Sequence, residues 1–342
     1  MHAVVKLALE PGVEVSDSVD EKACAPGDVR VTIAAASVCG TDRELVEYSS
    51  AAQAFNVVAP LVLGHECSGT VVELGAGVSP ELMGARVALE SHIPCGRCKR
   101  CVVGDAHNCE NLQILGIHRD GVFAESVVVP ASICFVLPDA ISFEAGALME
   151  SAGVALHGIQ RYGRSLLGAR VLITGGGPVG LVLAKLAILG GASHVAVVEP
   201  NDYRRQLAVD AGASGFSPSD LSDDEAPFDV GFDASGSPLA ITSLLERVDR
   251  EGTVITIGHP GQPIALDVSK YINKKGITLR GVFGRRLWDT WHQLSALLVS
   301  GSLDLESLVT HRLSLSDFPE AIDLLKGESC KVLLLPGRRV DA

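Results

Sequence analysis

Apolar and polar residues change their spacing along the chain at about residue 155. Before this point, short β-rich runs such as 69–73 and 123–129 alternate with segments that contain glycine, proline and cysteine. After it, apolar runs of strand length alternate with helical segments, which is the pattern of a parallel sheet covered on both faces. The pattern predicts an irregular, strand-rich domain followed by a doubly wound α/β domain.

The elements of the doubly wound domain are predicted from buried apolar runs that end at glycine or polar turns. Strands are expected at 171–174, 194–199, 228–233, 253–257 and 277–283. An apolar helix after the first strand ends near Gly190, and a helix that includes 203–207 stops at Gly212. Beyond this domain, the chain is expected to form helices at 288–299 and 318–325 and a final strand at 331–335.

A glycine-rich turn lies between the first predicted strand and its helix. Residues 175–180 match the pattern G-x-G-x-x-G. Gly175 permits the tight turn, Gly177 lets the backbone approach a pyrophosphate, and Gly180 allows close packing of the helix. The amino end of the helix offers N–H groups to the phosphates. A structural turn explains such a glycine run equally well, so the prediction of a dinucleotide site depends on the next strand.

An acidic residue ends that next strand. Glu199 lies nineteen positions after Gly180, where a carboxylate can hydrogen bond both ribose hydroxyls of NAD and repels the 2′-phosphate of NADP. The alternative is a solvated charge at the end of a strand. Arg204 and Arg205 lie just beyond, and arginine near this loop can accept the extra phosphate. We expect a dinucleotide site that favours NAD over NADP.

Four cysteines are concentrated in a segment of fifteen residues, at Cys95, Cys98, Cys101 and Cys109. Thiolates at this spacing can close a tetrahedral shell around zinc, and four protein ligands leave no position for substrate. Disulfides are the alternative, but two bridges in such a short loop would be strained. The segment therefore predicts a structural zinc site.

A second set of candidate metal ligands is scattered over the first 150 residues. It consists of Cys39, the adjacent pair His65 and Glu66, and Glu150. Each residue alone is weak evidence, because isolated cysteine and histidine side chains are usually packed, and an acid after Met149 is also explained as a helix-terminal charge. Together they offer sulfur, imidazole and carboxylate oxygen, which is the ligand set of a catalytic zinc ion with one open position.

Composition restricts the partners and the cellular location. With 342 residues and 47% hydrophobic content, the chain is long enough for two domains with well-developed cores. A formal charge of −13, from 41 acidic and 28 basic residues, opposes binding to nucleic acid or to an anionic membrane, and neither partner is expected. We expect no signal peptide and no membrane-spanning run, and an odd number of cysteines favours metal ligation. These features predict a cytoplasmic enzyme.

The motifs, in this order, resemble the zinc-containing medium-chain alcohol dehydrogenase family over essentially the whole chain. The resemblance rests on residues 39–42 and 64–66, the four-cysteine segment and the glycine turn. It implies a GroES-like catalytic domain formed by 1–154 and 288–342, and an NAD-binding Rossmann domain formed by 155–287. Within the family, the chain looks most like the L-threonine 3-dehydrogenases, at residues 91–96, 199–205, 284–291 and 308–312.

The resemblance also implies roles for individual residues. Cys39, His65 and Glu150 would bind a catalytic zinc ion, with Glu66 either a direct ligand or one that exchanges with water, and Thr41 would receive the substrate proton. The other zinc ion would be structural, and a symmetric tetramer is implied. NAD would be held by the glycine turn and by later strand ends, at Gly175, Gly177, Pro178, Val179, Gly180, Glu199, Arg204, Ile257, Gly258, His259, Val282 and Phe283.

Two departures from the threonine dehydrogenases lie near the expected substrate position. Those enzymes carry a histidine of a proton relay where this chain has Glu44, although a carboxylate can still accept a relayed proton. The segment 150–155 also differs, because Val154 stands where those enzymes have an amide. Both changes weaken the case for threonine itself.

The predicted function is zinc-dependent, NAD-linked oxidation of a secondary alcohol on a small polar substrate. L-Threonine, oxidised at its 3-hydroxyl to 2-amino-3-oxobutanoate, is the first expectation. The alternative is a polyol, cyclitol, amino-cyclitol or sugar dehydrogenase of a specialised pathway. A remote alternative is an inactive NAD-binding relative, and the complete set of metal ligands argues against it.

Overall fold

The computed structural model describes residues 1–222 and 225–337, which form two compact units. The first unit consists of Met1–Glu150 and the segment that begins at Leu287, and the second consists of Ser151–Arg286. The boundary after Glu150 falls within the helix Phe143–Tyr162.

The first part of the chain is rich in short strands. They are β1 (Ala3–Lys6), β2 (Glu14–Ser16), β3 (Asp28–Val38), β4 (Leu61–Val62), β5 (Glu66–Leu74), β6 (Arg86–Leu89), β7 (His92–Ile93), β8 (Gln113–Ile114), β9 (Ser126–Pro130) and β10 (Cys134–Val136). The helices of this part are α1 (Gly40–Glu47), α2 (Ser50–Ala54), α3 (Lys99–Val102) and α4 (Phe143–Tyr162).

The second unit is built on one parallel sheet. Its strands are β11 (Arg170–Thr174), β12 (His194–Val198), β13 (Ser214–Phe216), β14 (Phe228–Asp233), β15 (Val248–Thr256) and β16 (Thr278–Gly281). Helices α5 (Pro178–Leu189), α6 (Asp202–Asp210) and α7 (Pro238–Arg247) connect them. The strand order β13-β12-β11-β14-β15-β16, with parallel pairing throughout, confirms the predicted doubly wound domain.

The last part of the chain returns to the first unit. It contains α8 (Asp289–Val299), β17 (Val309–Leu313), α9 (Phe318–Leu324) and β18 (Lys331–Leu334). Strand β18 pairs antiparallel with β3, which gives the sheet order β10-β6-β5-β3-β18-β17, and β9 also pairs with β3. Smaller sheets have the orders β2-β1-β4 and β7-β8.

Short 3₁₀ turns lie at Pro80–Leu82, Ala106–Asn108, Ala131–Ile133, Glu306–Leu308 and Leu315–Asp317, and a π turn lies at Ser269–Asn273.

Each unit has its own core. In the first unit, Phe123 and Phe318 pack with ring centroids 5.4 Å apart, among buried aliphatic side chains of β3 and β18. In the second unit, the residues Val171–Ile173 of β11 are fully buried, because helices cover both faces of a parallel sheet. No helix in the described ranges is long and apolar enough to cross a membrane.

Candidate functional site

Three of the predicted metal ligands meet in the first unit. One ligand atom each from Cys39, His65 and Glu66 lies within 4.8 Å of the other two. Cys39 follows β3 and caps the start of α1, while His65 and Glu66 stand at the start of β5. Pairing of β3 with β5 places Ser37 opposite Glu66, and this register brings the three ligands together. Sulfur, imidazole and carboxylate at this spacing fit a zinc ion.

Asp42 orients two of these ligands. Its Oδ2 accepts a hydrogen bond from the backbone N–H of Cys39 at 2.8 Å, and its Oδ1 lies 3.3 Å from Nδ1 of His65. Burial lowers the pKa of His65, but the Asp42 carboxylate and the Cys39 side chain together raise it well above its ordinary value. A carboxylate that holds one ring nitrogen of a metal-binding histidine is a common arrangement around zinc.

A buried lysine pairs with Glu66. Nζ of Lys331, from β18, lies 2.5 Å from Oε2 of Glu66, and their side chains are 3% and 0% exposed. Burial lowers the pKa of Lys331, but the negative charges of Glu66, Cys39 and Glu150 more than offset this and raise it. Sequence reasoning missed this residue. The only local signal was a lysine at the start of a strand that is otherwise apolar.

Glu150 is not part of this group, and a different side chain holds its carboxylate. The cluster of three within the described residues does not include its carboxylate. Instead, Oε1 of Glu150, on α4, accepts a hydrogen bond from Oγ of Ser91 at 2.6 Å. The negative charge of Glu150 is also one of the causes that raise the pKa of Lys331. The carboxylates of Glu66 and Glu150 are thus each held by a different side chain, Lys331 and Ser91.

The two predicted relay residues lie on α1, three positions apart and on the same side of the helix. Oγ1 of Thr41 is 3.9 Å from Sγ of Cys39, so its hydroxyl borders the metal cluster. The carboxylate of Glu44 accepts a hydrogen bond from Ser49 and lies 3.4 Å from a guanidinium nitrogen of Arg43. About a third of the Glu44 side chain is exposed, which leaves it in contact with solvent.

The four cysteines of the 95–109 segment form the second cluster. One sulfur from each of Cys95, Cys98, Cys101 and Cys109 lies within 4.8 Å of the others, and all nine cysteines of the chain are free thiols. Backbone N–H groups of Arg97 and Cys98 lower the pKa of Cys95 to about 6, which favours the thiolate. Four thiols with N–H donors around them fit a structural zinc ion.

The glycine turn of the second unit has the geometry expected of a pyrophosphate site. Helix α5 starts at Pro178 with Gly177 as its N-cap, so its first N–H groups face the turn. A Cβ at Gly180 would lie 1.8 Å from the carbonyl oxygen of Gly175, and Gly175 itself has a φ of +94°. Larger side chains are excluded at both positions for these local reasons.

Glu199 is buried beside this turn. Its Oε2 accepts a hydrogen bond from the N–H of Gly176 at 2.6 Å, and its Oε1 accepts one from the N–H of Asn201 at 2.9 Å. The carboxylate is thus fixed at the end of β12 and is 5% exposed. It borders a cavity of about 590 Å³ whose lining includes Gly175, Gly177, Val198, Glu199, Arg204, Ser235, Ser237, Leu239 and Arg247.

Sequence reasoning missed the far wall of this cavity, which includes Ser235 and helix α7. Asp233 ends β14 and accepts hydrogen bonds from Ser235 Oγ at 2.6 Å, Thr174 Oγ1 at 3.0 Å and the N–H of Gly236 at 3.1 Å. Burial raises the pKa of Asp233 despite these donors. An acid followed by small residues after a buried strand was the available signal.

The other predicted cofactor residues also belong to the second unit, but they are not among the residues that line this cavity. They are Pro178, Val179 and Gly180 at the start of α5, and Ile257, Gly258, His259, Val282 and Phe283. A Cβ at Gly258 would lie 2.1 Å from the backbone nitrogen of Gly236, so the 257–259 loop packs on the turn after β14. The rings of His259 and Phe283 contact edge to face, with centroids 6.4 Å apart, and burial lowers the pKa of His259.

Two known families match two separate parts of the chain. The alcohol dehydrogenase GroES-like domain matches residues 25–139, and the zinc-binding dehydrogenase family matches residues 178–300. The first range contains both metal clusters, and the second begins where α5 begins.

Full-length relatives and solved structures agree with these matches. The chain is 38% identical to the L-threonine 3-dehydrogenase of Colwellia psychrerythraea, over 98% of this chain and 99% of that protein. The structure of galactitol-1-phosphate dehydrogenase from Escherichia coli has a TM-score of 0.88 at 28% identity, covering 98% of this chain and 100% of that one. For 2R,3R-butanediol dehydrogenase from Bacillus subtilis, the TM-score is 0.88 at 26% identity, with 98% and 99% covered.

Proposed function

Since the chain belongs to the zinc-containing medium-chain alcohol dehydrogenase family, we propose that it oxidises the 3-hydroxyl of L-threonine to 2-amino-3-oxobutanoate and reduces NAD. The observation that carries this proposal is the cluster of half-buried Cys39 with buried His65 and Glu66, because it supplies catalytic-zinc ligands of three chemical types in one place. The named relative spans 98% of the chain, which supports threonine as the first substrate to test.

Zinc held by Cys39, His65 and one of the carboxylates of Glu66 and Glu150 would act as a Lewis acid that favours loss of the alcohol proton. Residues around the metal cluster would carry that proton to solvent. Thr41 Oγ1, at the edge of the cluster, would accept this proton while its own hydroxyl proton moves towards the Glu44 carboxylate. Glu44, on the same side of α1 and in contact with solvent, would then release that proton to water.

Glu199 and the contacts of Arg205 support NAD as the cofactor. The Glu199 carboxylate is buried and fixed by two N–H groups, and a carboxylate at the end of this strand typically favours the ribose hydroxyls of NAD over a 2′-phosphate. The guanidinium of Arg205 donates to the carbonyl oxygens of Glu199 at 2.7 Å and Pro200 at 2.8 Å, and it pairs with Asp202, so these donors are engaged by the protein itself. Glu199→Gln keeps the shape but removes the charge, and it should reduce the preference for NAD in kcat/KM. A wild-type preference for NADP would contradict this part of the proposal.

A polyol, cyclitol or sugar substrate is the second candidate. Two observations favour this candidate. The Glu44 carboxylate, which stands where the threonine dehydrogenases have a histidine, is hydrogen bonded to Ser49 and to Arg43. In addition, Val154 brings an apolar side chain to the segment after Glu150. Similarity to galactitol-1-phosphate dehydrogenase adds support.

A substrate panel separates the candidates. The zinc-loaded protein would be assayed for NADH formation at 340 nm with threonine, sorbitol, glucose, inositols and amino-cyclitols, beside Cys39→Ser as the control. We expect the highest kcat/KM on threonine and no turnover by Cys39→Ser. Turnover confined to a polyol or sugar would select the second candidate, and no turnover on any alcohol would select an inactive relative.

We also propose a cytoplasmic homo-tetramer. Strand β16 is at the edge of the parallel sheet, and Leu279, Arg280 and Gly281 in it are exposed, so it offers backbone groups for pairing with a second copy. Nine free thiols suit a reducing compartment. Light scattering during size-exclusion chromatography measures the subunit number, and a monomeric mass would contradict the assembly.

A further inference from the structure

The segment Glu90–His92 is firmly anchored in the first unit. The carboxylate of Glu90 accepts hydrogen bonds from the indole N–H of Trp291 at 2.7 Å and from the N–H of His92 at 2.8 Å. The backbone is held as well, because the N–H of Glu90 donates to Ile133 and the carbonyl of Ser91 accepts from Leu115, at 2.9 and 3.0 Å. These hydrogen bonds fix the backbone from which the side chain of Ser91 extends.

From this fixed backbone, the side chain of Ser91 donates a hydrogen bond to one oxygen of Glu150. Its Oγ lies 2.6 Å from Oε1 of Glu150, and the two residues are 1% and 7% exposed. A hydrogen bond to a carboxylate is stronger than one between neutral groups, and burial strengthens it further. Because Oε1 accepts this bond, Ser91 fixes the orientation of the Glu150 carboxylate.

We propose that Ser91 is a positioning residue for the catalytic zinc, because it fixes the orientation of Glu150, one of the two carboxylates proposed to complete that zinc site. This inference rests on the proposed function, in which Cys39, His65 and a carboxylate hold that zinc. Outer hydrogen-bond partners of metal ligands fix ligand orientation, and their loss typically weakens metal binding by about 10- to 100-fold. The effect of Ser91 must pass through Glu150.

Ser91→Ala tests the proposal by metal affinity instead of turnover. Zinc affinity would be measured by competition with a chelator, and the four-cysteine cluster of the same chain serves as the internal reference. We expect the affinity of the catalytic cluster to fall by about 10- to 100-fold while the reference stays unchanged. Ser126→Ala is the matched control, since Ser126 is also buried but contacts Met1 Sδ, and it should change neither affinity.

Two further measurements separate positioning from a general loss of structure. With cobalt in place of zinc, Ser91→Ala should shift the visible absorption of the catalytic cluster, and Ser126→Ala should not. Adding Ser91→Ala to Glu150→Gln should change the affinity by less than about twofold, because the path through Glu150 is already altered.

The proposal is overturned if Ser91→Ala keeps the wild-type affinity and cobalt spectrum, or if it weakens the Glu150→Gln variant as much as it weakens the wild type. Failure of the proposed function has a different signature. In that case, the wild-type protein would bind zinc only at the four-cysteine cluster, or would bind both ions and oxidise no alcohol.

Discussion

Replacing Lys331 with methionine would remove the buried ammonium group that pairs with Glu66. The two charged atoms are 2.5 Å apart, and the side chains are 3% and 0% exposed, so water cannot replace the lost partner. Removing one member of such a pair costs about 3–5 kcal/mol in the free energy of unfolding. Bound zinc would still offset part of the Glu66 charge, so we expect the lower end of this range for the zinc-loaded protein and a larger loss after chelation.

Tryptophan fluorescence during urea unfolding is the appropriate assay. Trp288 and Trp291, the two tryptophans of the chain, both belong to the first unit, which also contains Lys331. Trp291 is 1% exposed, so its emission should shift to longer wavelength when this unit unfolds. The signal therefore reports the unit in which the substitution is made, and circular dichroism would follow both units together.

Lys326→Met is the matched control. Lys326 lies 3.2 Å from Asp323, but these side chains are 54% and 77% exposed, and an exposed pair contributes at most about 1 kcal/mol. Combining Lys331→Met with Glu66→Gln should recover part of the loss, because no charge then remains without its partner. A loss for Lys331→Met as small as that for Lys326→Met would refute the reasoning.

Three other substitutions test separate parts of the structure. Trp291→Phe removes the 2.7 Å bond to Glu90 and should cost about 1–3 kcal/mol in urea unfolding followed by circular dichroism; an unchanged midpoint would speak against this bond as an anchor. Gly180→Ala would place a Cβ 1.8 Å from Gly175, so NADH affinity measured by fluorescence should drop more than about tenfold with zinc content unchanged; wild-type affinity would exclude this turn as the cofactor site. Cys98→Ser should lower the zinc content by the ion of the four-cysteine cluster, and an unchanged content would contradict that assignment.

Features governed by local geometry were accessible from the sequence. The glycine turn is an example, because the close approach of Gly180 to Gly175 depends on residues five positions apart. The four cysteines form their cluster within one short loop for the same reason. The alternation of strands and helices predicted the parallel sheet, and the family and fold class predicted from these patterns are confirmed.

Features that depend on distant pairing were not accessible. Lys331 and Glu66 are 265 positions apart, and they meet because β18 pairs with β3, which no local pattern reveals. The bond between Ser91 and Glu150 likewise joins residues 59 positions apart. Sequence reasoning named Glu150 as a candidate ligand from its residue type and then from resemblance, but it had no information on the side chain that holds it. These supporting contacts are the part of the site that only the structure supplies.

Anomalous diffraction at the zinc absorption edge is the most direct test of the metal chemistry on which the proposed function depends. Crystals of the protein purified with its metal should show one peak bounded by Cys39 and His65 with a carboxylate of Glu66 or Glu150, and a second peak among the four cysteines of 95–109. A peak at the four cysteines alone, with zinc supplied in excess, would contradict a catalytic zinc ion in this chain.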